Sequence, residues 1–253
     1  MTSALDRPVT QKSPTFGQLF GRIVLAGLLA GIVAGLFSLL VTERAIQPAL
    51  DLEDARVAAQ SGHEHGEELF SRGQQLFGGF LGTVLAGVVL GIVFAAVYAL
   101  VRHRLPGRTD VARTAVLAAI GFGIFAVLPA LKIPANPPAV GDPATVGTRT
   151  AIYGGVLLLG VITAMLVSAL VSAVRSRGTG EAGTVSTAVV GTAVMVALIV
   201  VFVPGNPDTI AADVPAAVVW NFRLASLGQL LVLWATLGLA SGALLSRLER
   251  TRR

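Results

Sequence analysis

Six stretches of the chain, residues 23–42, 73–101, 114–131, 150–174, 182–207 and 224–246, contain no Asp, Glu, Lys or Arg. They are apolar on every side, without the polar alternation of a barrel strand. At ~1.5 Å per residue, about 20 helical residues cross a hydrocarbon layer ~30 Å thick, and each stretch is close to or above that length. The pattern predicts an all-α integral membrane protein, a bundle of about six transmembrane helices over roughly 19–42, 76–101, 114–131, 150–174, 184–203 and 224–246. Residues 1–18 then read as a flexible N-terminal tail, 19–246 as the transmembrane domain and 247–253 as a basic C-terminal tail. The first stretch exceeds the apolar core of a signal peptide and runs straight into Thr42-Glu43-Arg44 with no A-x-A site, so it reads as a retained helix.

Composition agrees, with 54% apolar and only 13% charged residues, where soluble domains carry roughly 25% charged. A net charge of +5 invites a nucleic-acid partner, but the charges follow topology instead. The N-terminal tail, the 2–3 and 4–5 connections and the C-terminal tail hold 13 of the 19 basic residues and four acids, whereas the other three connections hold six basic residues and ten acids. Under the positive-inside rule both termini are cytoplasmic, and the basic surface faces the anionic lipid of the bilayer, with no nucleic acid as partner.

Within the helices the recurrent device is glycine at four-residue spacing. Gly27, Gly31 and Gly35 line helix 1, Gly78/Gly82 and Gly87/Gly91 helix 2, and Gly238/Gly242 helix 6. Such ridges let backbones approach closely where lipid offers no hydrophobic drive to associate. They fit packing within the bundle or binding of partner helices, and the spacing leaves the oligomeric state open.

The candidate chemistry lies in the external connections. Residues 43–72 read as a loop with seven acids and two of the three histidines, the densest part being His63, Glu64, His65, Glu67 and Glu68. Imidazole and carboxylate together suit a divalent first-row metal. Side chains two apart on a helix diverge by about 200°, so His63 and His65 share one ion only if that stretch is not helical, and Gly62 and Gly66 permit that. The alternative is a solvated acidic loop. The 132–149 and 204–223 connections are proline-rich and read as a stiff rim. Tyr98, Met165, Met195, Asn221 and Gln229 are the neutral groups singled out for a pathway, each otherwise a packing or hydrogen-bonding residue between helices. No phosphate-binding loop, H-E-x-x-H or nucleophile elbow occurs, so the sequence reads as a non-enzyme with no permanently bound cofactor.

In order along the chain come Leu-Ala-Gly-Leu-Leu-Ala-Gly at 25–31, His-Glu-His at 63–65, Arg72, the 91–99 segment, Leu-Pro-Ala-Leu at 128–131, Arg149, and Ser-Leu-Gly-Gln-Leu-Leu-Val-Leu-Trp-Ala-Thr-Leu-Gly at 226–238. This succession resembles the CbtA family of proposed cobalt transporter subunits found with cobalamin biosynthesis genes. The resemblance implies uptake of Co²⁺ as the transported ion across a bacterial inner membrane, beside a small single-helix, His-rich subunit like CbtB. The competing class is a non-transporting scaffold or assembly protein that uses its glycine ridges to bind partner helices.

Overall fold

The computed structural model describes residues 15–59, 70–138 and 140–250. Six helices are long and apolar enough to cross a membrane. We label them α1 (Phe16–Ala59), α2 (Arg72–Val101), α3 (Asp110–Lys132), α4 (Pro143–Ser176), α5 (Glu181–Phe202) and α6 (Ala216–Arg250). No strand occurs among the described residues, and the expected all-helical bundle is borne out.

Helix starts lie before the apolar stretches because polar residues nucleate them. Ser71 caps α2 reciprocally, its hydroxyl accepting from the Gln74 N–H at 3.4 Å while Gln74 Oε1 accepts from the Ser71 N–H at 2.8 Å. The Thr109 hydroxyl caps α3 by accepting from the Ala112 N–H at 3.2 Å. Asp142 and Pro143 open α4, with Asp142 Oδ1 accepting from the Ala144 N–H at 2.8 Å.

The largest departure from the sequence pattern is α1. Glu43–Ala59, which lacks an apolar stretch and reads as part of a loop, continues the helix. It is rich in helix formers and carries an i,i+4 hydrogen bond from Gln47 to Asp51 at 3.0 Å. Hydropathy marks where a helix meets lipid, not where it ends. The 44 residues of α1 span ~66 Å, more than twice a hydrocarbon core. Glu43 forms an ion pair with Arg72, so the chain leaves and re-enters the bundle at one place. Ala49 on this extension packs with Val140, Val214 and Val219, drawing the 3–4 and 5–6 connections and the start of α6 into a small cap. We call this the cap end, and the opposite one the terminal end.

The main core joins α1, α2, α3 and α6 through Ile23, Ala26, Ala30, Tyr98, Ala118 and Leu237. A smaller cluster of Leu128, Val156 and Ile199 ties α4 and α5 to the end of α3. There the Lys132 ammonium donates to Val200 O at 2.9 Å, in the last turn of α5, where a helix end carries partial negative charge. The bundle's outside is inverted relative to a soluble protein, with Leu100, Val201 and Phe202 each more than 70% exposed.

Glycine decides how α1 meets α2. A Cβ on Gly27 would lie 2.5 Å from Gly87 O and 2.7 Å from Gly91 Cα, and one on Gly31 would lie 2.8 Å from both Cα and O of Val84. Gly35 receives the ring of Phe80, and Gly238 receives Ala118. Gly242 meets Val111 and Thr114, again on α3. Gly78 and Gly82, with the same spacing, face open space.

These contacts separate glycines that spacing alone cannot. Gly31→Ala pushes a methyl group into the α2 backbone and should destabilise by about 1–3 kcal/mol, with Gly31→Leu worse. Gly78→Ala should be neutral or stabilising by up to ~1 kcal/mol, since it only improves helix propensity. Thermal unfolding midpoints of the three variants in one detergent test the assignment, and a Gly31→Leu protein as stable as the parent would refute it.

Candidate functional site

The densest polar network among the described residues lies at the cap end, between the two proline-rich connections. Asp208, in the 5–6 connection, has a fully buried side chain. Its Oδ2 accepts from Arg149 Nη1 at 2.8 Å and from Asn136 Nδ2 at 2.6 Å. Its Oδ1 accepts from the Asp142 N–H at 2.6 Å and from the Thr145 hydroxyl at 3.5 Å. Asn136 Oδ1 in turn accepts from Arg223 Nη2 at 2.9 Å, and Arg223 Nε donates to Ala135 O at 3.0 Å. The Arg223 guanidinium also sits 5.6 Å from the ring centre of Trp220, at cation–π range.

Local sequence explains the assembly. The prolines at 134, 137 and 138 keep the 3–4 connection extended, so Asn136 and the Asp142 N–H are not consumed by a helix. Gly141 leaves room for the carboxylate, since a Cβ there would lie 2.8 Å from Asp208 Oδ2. In the 5–6 connection Asn206 Oδ1 accepts from the Asp208 N–H at 3.1 Å, a local turn that aims the side chain. Arg149 sits in the first turns of α4 and Arg223 in those of α6.

Chemically the network is a clasp, not a cation site. Four donors surround one carboxylate, so its lone pairs are engaged and an incoming ion would have to displace Arg149. What the clasp does is pin both connections over α4 and α6. A second ion pair extends it towards α1, where Arg56 donates to Asp213 Oδ2 from Nε at 3.0 Å and from Nη2 at 2.8 Å. Hydrogen bonding from Arg56 holds the Asp213 carboxyl below its ordinary range. A cavity of about 220 Å³ lies between this pair and Asp142.

A family model described as "probable cobalt transporter subunit (CbtA)" matches residues 16–246. The chain belongs to the CbtA family. Comparison with curated proteins found no match, and neither did comparison with solved structures. Six membrane-length helices and membership of a family described as a probable cobalt transporter subunit point to a multi-pass membrane protein, and the word subunit implies a partner.

The residues singled out from the CbtA-family sequence fall in different places. His63, Glu64, His65, Glu67 and Glu68 lie outside the described residues, between the end of α1 and Phe70. Tyr98 is fully buried at the terminal end, its hydroxyl donating to Asp110 Oδ1 at 2.7 Å. Met165 is 67% exposed on α4. Met195 lines an apolar cleft between α4 and α5, and Asn221 is exposed on α6. Gln229 Oε1 accepts from the Thr42 hydroxyl at 3.0 Å, joining α6 to α1. These five positions lie on four different helices. Asn136 and Asp208 were not foreseen from the sequence, although an acid in one proline-rich connection opposite the single arginine of the other is the signal that could have found them.

The clasp predicts strong coupling between partners. Asp208→Asn leaves Arg149 without its counter-charge in a three-quarters buried setting and should cost about 3 kcal/mol. Arg149→Met in that background should then add little, because the two share one interaction. Unfolding midpoints of both singles and the double in detergent measure this, and additive losses would show that the pair is not coupled.

Proposed function

We propose that this chain is the membrane-embedded subunit of a divalent-metal uptake system of a bacterial inner membrane, with Co²⁺ as its cargo. The observation that carries this reading is the match to a cobalt transporter subunit family over residues 16–246 of a chain with six membrane-length helices. The excess of basic residues in both tails and in the 2–3 and 4–5 connections supports cytoplasmic termini and an external cap end.

On this reading His63, Glu64, His65, Glu67 and Glu68 capture the ion outside the membrane, since neutral imidazole with carboxylate is a fitting donor set for Co²⁺. The segment follows the α1 extension, which supports delivery from beyond the bilayer towards the base of the excursion at Glu43 and Arg72. The partner implied by the word subunit is a small single-helix, His-rich membrane protein of the CbtB kind, which hands on or concentrates the ion. The sequence holds no nucleotide-binding loop, and the simplest energy source is the membrane potential. A divalent cation gains ~4.6 kcal/mol per 100 mV, enough for accumulation on the order of a thousandfold.

The test is cobalt uptake by cells carrying the His63→Ala/His65→Ala double variant. Loss should be greatest at low external cobalt, where capture limits flux, and should shrink as cobalt becomes abundant. In the parent, uptake at low cobalt should weaken as pH falls through ~6.5, because protons compete with metal for imidazole. A double variant that matches the parent at every cobalt concentration would remove these histidines from the mechanism.

A further inference from the structure

Two irregularities of the helix meet where α1 leaves the bundle. Ser38–Thr42 forms a π-helical turn, with the Glu43 N–H donating five residues back to Ser38 O. Pro48, one turn beyond Glu43, has no N–H to give the carbonyl of Arg44. The helical ladder is thus loosened on both sides of Glu43, and π turns of this kind recur at functional sites. Inside the turn, the nearly buried Thr42 donates to Gln229 Oε1 of α6 at 3.0 Å, a polar contact within two otherwise apolar stretches. Just outside it, Glu43 forms an ion pair with Arg72 of α2, with side-chain exposures of 25% and 44%. A second π turn, Gly123–Val127 on α3, packs its Phe125 against Trp234 of α6, so that α6 has re-registered helices on two sides.

Charge separates this place from the clasp. The clasp balances Arg149 and Arg223 with Asp208 and Asp142, whereas the α1 extension carries Glu43, Asp51, Glu53 and Asp54 against Arg44 and Arg56. A cation approaching the cap end is attracted to the acidic α1 side more than to the balanced clasp.

We propose that Glu43, and then Thr42 with Gln229, are two successive oxygen stations through which a divalent cation enters the bundle, and that Arg72 pairs with Glu43 while the entry is empty. This rests on the transport reading above. A divalent ion competes with the Arg72 guanidinium for Glu43 through its doubled charge, and Arg72 returns when the ion moves on. The second station is neutral, which suits passage: a fixed carboxylate at that depth would hold the ion, and conduction needs binding weak enough to release. A partly hydrated first-row divalent ion accepts amide and hydroxyl oxygens as weak ligands, with water completing the shell.

The experiment measures initial Co²⁺ uptake against external Co²⁺ in cells expressing the full chain with its native partner genes, alongside the amount of monodisperse protein recovered in detergent. Glu43→Gln should raise the half-saturating Co²⁺ concentration on the order of tenfold. Thr42→Val and Gln229→Leu should lower the maximal rate per folded protein severalfold, and Thr42→Ser should restore it. Gln229→Glu should lower both the half-saturating concentration and the maximal rate, a signature that loss of folded protein does not produce. Parent-like uptake constants in Glu43→Gln, Thr42→Val and Gln229→Leu, in cells where the parent accumulates cobalt, would overturn this inference alone. Absence of cobalt accumulation by the parent itself would overturn the transport reading and this inference with it.

Discussion

Backbone touching backbone between α1 and α2 is the contact on which the bundle depends. In lipid, a larger side chain gains nothing by being buried, because the tails it leaves are as apolar as the neighbour it meets. Association comes instead from many short-range contacts, which grow as the two axes approach. Gly27 and Gly31 against Gly87, Gly91 and Val84 allow that approach, and a single methyl group at Gly31 would lie within 2.8 Å of main-chain atoms. With α1 and α2 locked, α6 lies against α1, and α3 against α6 through Gly238 and Gly242. The four helices then enclose one continuous core.

The α4 and α5 pair is attached differently. Its apolar contact with the rest is the small cluster around Leu128, Val156 and Ile199. Polar links do the remaining work, with Lys132 on the end of α5 and the Asp208 clasp binding the start of α4 to both connections. The molecule therefore has a lipid-type joint in its middle and a water-type joint at its cap end. The first is insensitive to charge, while the second depends on the Arg149–Asp208 ion pair and the hydrogen bonds of Asn136 and Arg223 around it.

Legibility in the sequence followed the same division. The six spans were readable because lipid forbids charge over about 20 residues, a constraint that acts on composition alone. The Glu43–Ala59 helix was not, because a solvated amphipathic helix and a polar loop share a composition. Glycine spacing found Gly27, Gly31, Gly87 and Gly91 but could not tell them from Gly78 and Gly82, since which face of a helix meets a partner is a property of the whole bundle. Asp208 was hidden for a related reason: Arg149 lies 59 residues away on another connection, and nothing local marks the pair. Gln229 was visible as a polar residue in an apolar helix, but its partner Thr42 and the π turn beneath it belong to α1.

The central claim is that a divalent cation crosses with the aid of this subunit, driven by the membrane potential. It is tested most directly in liposomes containing the chain and its partner subunit, with the potential set by a potassium gradient and valinomycin and entry of radioactive Co²⁺ followed over time. The account predicts accumulation that rises about tenfold for each ~30 mV of inside-negative potential, and none when the potential is zero. Entry that is indifferent to the potential, or that requires added ATP, would contradict it.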